Sequence, residues 1–308
     1  MVLLRLLLLQ QFFILHHHKK KVSEDIKVGI LLGFTGPIES LTPDMASGAE
    51  LAFNEASNSG ELLGGSKITI LRADSTCVDS AAATAAAEDL LSQGMTAMMG
   101  ADCSGVTGAV ATNVAVPNGF VMISPSATSP GLTDLEDKGM FFRTAPSDAR
   151  GGQVLADITN DKGIKSVAIT YVNSDYGLGL ADVYKAAVEA YGITVTTMAS
   201  HESDKADYSA DVGVLSSAGG DALAVLGYLD NAGGHIIEGS LDSGAFDTFV
   251  LSDGMIGDSL TDRFGSDLNN SFGSMPGSLG EGAQLFKSVA EAGGINASVY
   301  VGESYDAA

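Results

Sequence analysis

Tryptophan is absent, and aromatic residues make up only 6% of the 308-residue chain, so its eight tyrosines are worth locating one by one. Basic residues are scarce, with 16 Lys and Arg against 38 Asp and Glu. Four of those bases, Arg5 and Lys19–Lys21, fall in the first 21 residues, where there is no acid. The rest of the chain therefore carries a formal net charge of about −26. Such a surface excludes nucleic acid as a partner, because phosphate contacts need Lys and Arg. It suits a soluble secreted protein. No phosphate-cradling loop of the G-x-G-x-x-G or G-x-x-x-x-G-K-[ST] type follows an expected strand, which argues against a nucleotide-dependent enzyme. No Ser/His/Asp set suggests itself, since His201 lies in a polar stretch and His235 in an expected helix. No cofactor or metal is expected.

A long apolar run occurs only at the start. Val2–Leu15 is broken by Arg5, Gln10 and Gln11, and is too short and interrupted for a transmembrane helix. His16–His18 and Lys19–Lys21 follow it, which reverses the charge order of an export signal, and no A-x-A cleavage site appears. Residues 1–24 read as a degenerate signal or anchor, or as an artefact of the gene start. They are set apart from the fold. The three histidines read as a tag remnant or solvated run.

From Asp25 onward, apolar runs of strand length alternate with segments of helical spacing. Strands are expected at Ile26–Leu32, Ile68–Leu71, Met95–Met99 and Phe120–Ile123. Helices are expected over Met45–Ser57, Ser80–Gln93 and Val106–Ala115. A second series places strands at Val167–Val172, Ile193–Met198, Ala222–Leu226 and Thr248–Leu251. Its helices are Gly179–Ala190, Tyr208–Ser217 and Ala232–Leu241. This alternation implies an α/β protein of two Rossmann-like lobes, each with a parallel sheet and right-handed crossovers. Residues 25–144 form lobe 1, 145–273 lobe 2, and 274–308 a return to lobe 1. Interlobe crossings are expected near Arg143–Ser147 and Ser271–Gly277.

Two stretches concentrate small polar residues after a strand: Gly100-Ala-Asp-Cys-Ser-Gly105 and Met122-Ile-Ser-Pro-Ser-Ala-Thr128. A parallel sheet builds its ligand sites beyond the carboxyl ends of its strands. Ser104 is expected in the first turn of a helix, where free N–H groups and the helix dipole favour an anion. Ser126 and Thr128 would face it from the next strand. In the second series, Tyr176, Tyr228 and Asp253 also fall just after strands. Taken singly, these residues read as caps, turn residues or surface side chains. Together they place an anion site and a carboxylate on opposite walls of one cleft, a clamp for a zwitterion.

These stretches, with Asp25-Ile-Lys-Val-Gly29, Thr35-Gly-Pro37, Asp74-Ser-Thr-Cys77, Asp175-Tyr-Gly177 and Gly227-Tyr228, resemble the periplasmic leucine/isoleucine/valine-type binding proteins. Those proteins serve branched-chain amino acid ABC importers and have the type I periplasmic binding protein fold. The resemblance implies that Ser104 and the backbone beside it hold the ligand carboxylate. It implies that Ser126, Thr128 and Asp253 hold the amine, and that Tyr176 and Tyr228 line the cleft. It further implies a monomeric, periplasmic, non-enzymatic protein that delivers its ligand to a membrane permease. A Cys77–Cys103 disulfide is expected, since these are the only cysteines, each follows a strand, and an exported protein meets an oxidising compartment.

The sequence departs from the family in two places at the site. Asp253 stands where glutamate is usual, and Leu41 where an aromatic is common, so the side-chain pocket is altered. A receptor for short amides or urea stays open as the alternative. The chain also ends inside what resembles a helix start, at Glu303–Ala308, so C-terminal truncation is expected.

Overall fold

The structure, a computed structural model, describes residues 24–277 and 280–308. The reading of residues 1–21 falls outside them. Two five-stranded sheets account for the strands. The first comprises β1 (Ile26–Leu32), β2 (Ile68–Asp74), β3 (Ala97–Gly100), β4 (Val121–Ser124) and β5 (Phe141–Arg143), in the order β2-β1-β3-β4-β5. The second comprises β6 (Ser166–Val172), β7 (Thr194–His201), β8 (Ala222–Leu226), β9 (Phe249–Leu251) and β10 (Phe272–Gly273), in the order β10-β9-β8-β6-β7. Every pairing is parallel. The expected pair of parallel-sheet α/β lobes is thus present.

Strand sequence follows from this burial. Residues Val28–Leu32 of β1 and all five residues of β8 are shielded from solvent, so the runs are continuously apolar rather than alternating. β7 has the mixed sequence Thr-Val-Thr-Thr-Met-Ala-Ser-His and is mostly half-buried, as suits the strand at one edge of the second sheet.

The helices begin and end on local signals. α1 (Thr42–Ser59) carries Pro43 in its first turn and stops at Gly60, which adopts the left-handed conformation (φ 72°). α2 (Ser80–Ser92) is capped by Asp79, whose carboxylate accepts from the N–H groups of Ala81 and Ala82. α3 (Ser104–Val110) starts two residues before the expected Val106 and runs on through a π-type turn, Ala111–Ala115, to Asn118.

α4 (Asp148–Asp161) was not apparent in the sequence because Gly151 and Gly152 interrupt its helical pattern. Packing explains Gly152: a Cβ there would lie 2.8 Å from Val183 Cγ1 and 3.0 Å from the Tyr184 nitrogen. Both belong to α5 (Asp175–Ala190). The second lobe adds α6 (Ser209–Ala218), α7 (Gly234–Ser243) and α8 (Asp258–Phe264), and α9 (Glu281–Gly293) follows. α10 (Val301–Ala307) returns to lobe 1, where Val299, Tyr300 and Ala307 share a core with Val28, Ile30 and Met45.

Candidate functional site

In both sheets the strand order reverses direction at one point, between β1 and β3 in the first and between β6 and β8 in the second. Loops leaving the carboxyl ends of these strands diverge there and leave a crevice. The loop after β1 supplies Ile38 and Leu41, and the loop after β3 supplies Asp102, Cys103 and Ser104. From the other lobe, Tyr176 follows β6, Tyr228 follows β8 and Asp253 follows β9. All of these line one small cavity of about 30 Å3, together with Met45, Ser126, Gly254 and Tyr300.

The lobe 1 wall is built on a buried carboxylate. Asp102 accepts from the Gly33 N–H at 2.5 Å, the Ser75 hydroxyl at 2.8 Å and the Cys103 N–H at 2.9 Å. It thereby ties together the loops after β1, β2 and β3. Burial raises its pKa, and these hydrogen bonds oppose the rise. Cys77 and Cys103 form the expected disulfide, with Cα atoms 5.1 Å apart, next to the same loops. Gly100 has φ 125°, and a Cβ there would lie 2.2 Å from the Leu31 carbonyl oxygen, so only glycine fits where β3 meets its loop.

Ser104 occupies the first position of α3, and its Oγ accepts from the Ser129 N–H at 3.1 Å. The hydroxyl proton of Ser104 is then available to donate into the cleft. The Ser126 hydroxyl donates to the Asp102 carbonyl at 3.2 Å.

On the opposite wall, Tyr176 and Tyr228 stack with ring centroids 5.2 Å apart. The Tyr176 hydroxyl donates to Asp253 Oδ1 at 2.7 Å, and the Tyr300 hydroxyl donates to Oδ2. Burial raises the Asp253 pKa, while the two tyrosine hydrogen bonds favour its anion. All three tyrosine hydroxyls are pushed well above their ordinary range by burial, aided by the nearby carboxylates, and so remain donors. Asp253 opens the short helical turn Asp253–Met255, with Ser252 at its N-cap position, and its carboxylate is turned toward the tyrosines.

Five of the six residues read from the sequence, Ser104, Ser126, Tyr176, Tyr228 and Asp253, therefore meet around one cavity. Thr128 does not. It lines a neighbouring cavity of about 190 Å3 with Asp148, Arg150 and Asp253, so Asp253 is the wall the two share. Two further residues carried no sequence signal. Tyr300 follows a loop and not a strand, and Asp148 lies in the first turn of α4, a helix without a clear sequence pattern that Ser147 caps by accepting from the Ala149 N–H.

The two sets of loops also touch directly. The Ser40 N–H donates to Asp230 Oδ2 at 2.9 Å, and the Ser129 hydroxyl donates to the Asp175 carbonyl at 3.0 Å.

Residues 25–274 match the family model described as periplasmic binding protein. The chain is 32% identical over 237 residues to a Leu/Ile/Val-binding protein homolog 3 of Brucella melitensis, covering 74% of this chain and 60% of that relative. The chain thus spans less than two thirds of that relative's length. It is 30% identical over 276 residues to homolog 1 of the same organism, covering 87% of this chain and 72% of the relative. Among solved structures, it is similar to the branched-chain amino acid transporter substrate-binding protein LivJ from Streptococcus pneumoniae in complex with isoleucine. The TM-score is 0.77 at 24% identity, with 92% of this chain and 81% of that one covered. A Rhodopseudomonas palustris solute-binding protein in complex with 4-hydroxybenzoate reaches a TM-score of 0.78 at 18% identity, with 92% and 78% covered. At such identities the two structures speak for the fold alone.

Proposed function

This chain belongs to the periplasmic binding protein family, and on that premise we propose that it captures a small aliphatic α-amino acid between its lobes. A branched-chain amino acid is the first candidate, and the loaded protein would present it to the membrane permease of an ABC importer. The observation that carries this reading is the opposition of Ser104, at a helix start, to the buried Asp253 across one cleft. A carboxylate would take the Ser104 hydroxyl and the free N–H groups of the first turn of α3. An ammonium would take Asp253, with Ser126 and Thr128 assisting. Ile38, Leu41 and Met45 would enclose an aliphatic side chain.

The family and the named relatives support an extracytoplasmic, non-enzymatic protein, and no helix among the described residues is long and apolar enough to cross a membrane. We assign residues 25–144 to lobe 1, 145–273 to lobe 2 and 274–308 to the return, and expect a monomer. A cavity of about 30 Å3 has room for about two water molecules, not for a leucine side chain. Ligand entry therefore requires the lobes to part, breaking the contacts of Ser40 with Asp230 and of Ser129 with Asp175.

One observation favours the alternative receptor for amides or urea. Both Asp253 oxygens already accept a tyrosine hydroxyl, an arrangement that also suits a neutral N–H donor. Calorimetric titration with L-leucine, L-isoleucine, L-valine and L-alanine, and with acetamide, urea and leucinamide, separates the two. The amino acid reading predicts binding of free α-amino acids and none of the simple amides. Saturable binding of acetamide or urea without amino acid binding would overturn it.

A further inference from the structure

We propose that His201 is a positioning residue for ligand capture: it lies outside the cleft lining, and its ring holds the loop of Tyr228 where that tyrosine stacks on Tyr176. This rests on the amino acid reading above and deepens it, because the stacked pair belongs to the lobe 2 wall of the cleft. His201 ends β7 and is paired with Val172, which ends β6. Gly227 lies just beyond the end of β8, on the other side of β6. The imidazole, 1% exposed, spans that distance. A Cβ built on Gly227 would lie 3.1 Å from His201 Nε2, 3.5 Å from its Cε1 and 3.3 Å from Val172 Cβ. The ring edge is thus packed against the residue that precedes Tyr228.

Gly227 is confined on its other sides as well. Its N–H donates to Ser252 Oγ at 3.1 Å, and its carbonyl oxygen would lie 2.5 Å from a Cβ on Gly254, so the ring completes an enclosure. The ring is itself aimed. Nδ1 shares a 2.8 Å hydrogen bond with the hydroxyl of Thr170, two residues before Val172 on the same face of β6. Nε2, at the Gly227 edge, has no hydrogen-bond partner among the described residues. A leucine or phenylalanine would fill this space without burying an unpaired nitrogen, so stability alone does not call for histidine. Burial, opposed by the Asp211 charge, lowers the pKa of the ring to about 4, so at neutral pH it adds no charge behind the tyrosines. The backbone of His201 serves the other tyrosine loop. Its carbonyl accepts from the Asn173 N–H at 2.8 Å, and the adjoining Ser174 caps α5, whose first turn carries Tyr176.

The experiment is calorimetric titration of L-leucine at about pH 7 into the parent, His201→Asn, Gly227→Ala and the double variant, with near-ultraviolet circular dichroism of each. The chain has no tryptophan, so its tyrosines stand out in that spectrum. Asparagine keeps an amide near the place of Nδ1 for Thr170 and lacks the ring edge under Gly227. His201→Asn should therefore alter the tyrosine band and weaken leucine binding about 3- to 10-fold. Gly227→Ala should weaken it about tenfold or more, because the added methyl meets the ring. In the double variant the methyl takes the space the ring edge has left, so binding should return to within about fivefold of the parent. His201→Gln, whose flexible end yields to the methyl, takes the place of His201→Asn in the cycle if that variant does not fold. Losses that simply add in the double variant, or a tyrosine band unchanged by His201→Asn, would overturn the positioning role and leave the amino acid reading intact. A parent that binds no α-amino acid would overturn that reading, and the tyrosine band would still decide whether His201 positions the pair.

Discussion

The residues after each strand end supply most of the lining of the cleft, and five of them could be picked out because an apolar run stops abruptly at a polar or aromatic side chain. Ser104 gives the simplest test at this scale. Its replacement by Ala should cost about 1–2 kcal/mol of ligand binding, since backbone N–H groups still meet the carboxylate. Titration should show a loss of roughly 5- to 30-fold with the melting temperature unchanged. Tyr300 and Asp148 were illegible for a physical reason: they reach the cleft from a loop and from a helix start, where no change of pattern marks them. His201 was read as uninvolved in catalysis, and its environment is informative in another way. It is 1% exposed, Nδ1 pairs with the Thr170 hydroxyl at 2.8 Å, and burial lowers its pKa to about 4. Its unfolded value is 6.5, so the unfolded chain takes up a proton between pH 6.5 and about 4 while the fold does not. Stability from this residue is therefore full above the unfolded value and is lost as pH falls through that window, by up to about 3 kcal/mol. Denaturant melts of the parent should lose stability over that range relative to His201→Gln; parallel curves would contradict this.

Among the elements, the loops after β1, β2 and β3 act as one unit, held by Asp102 and by the Cys77–Cys103 bond. Closing the 26-residue separation should contribute roughly 3–4 kcal/mol on chain-entropy grounds. The Cys77→Ser/Cys103→Ser double variant should show that loss in urea melts and a weaker ligand affinity, because Ser104 loses its tether. The loop after β9 is equally confined. A Cβ on Gly254 would lie 2.5 Å from the Gly227 carbonyl oxygen and 2.9 Å from Tyr228 Cδ1. Gly254→Ala should therefore displace Asp253 or Tyr228 and reduce binding more than a surface substitution does. Element type was readable wherever apolar runs were long, as in β1 and β8. It failed where packing overrides propensity, as at the glycine pair of α4, and where helices such as α8 are short. The extent of β2 and β7 was underestimated because their last residues, Arg72–Asp74 and Ala199–His201, are too polar to extend an apolar run.

For the whole molecule, the formal charge of −22 makes the compact state repel itself. Few attractive pairs offset this: the ion pairs among the described residues, such as Arg72–Glu50 and Lys205–Asp211, lie at partly exposed positions. Added sodium chloride should therefore raise the melting temperature steadily across the range in which the Debye length shrinks. A flat or falling curve would mean that charge repulsion is not significant. The two-lobe plan was legible because the β and α segments alternate twice. The closeness of the lobes was not, since contacts such as Ser40 with Asp230 join residues 190 positions apart. Asp253 gives the most direct test of the amino acid clamp. Asp253→Asn keeps the shape and removes the charge, so L-leucine affinity, measured by calorimetry on variant and parent, should fall by about 2–5 kcal/mol, or roughly 30- to 5000-fold. Binding within about threefold of the parent by a folded variant would contradict the clamp.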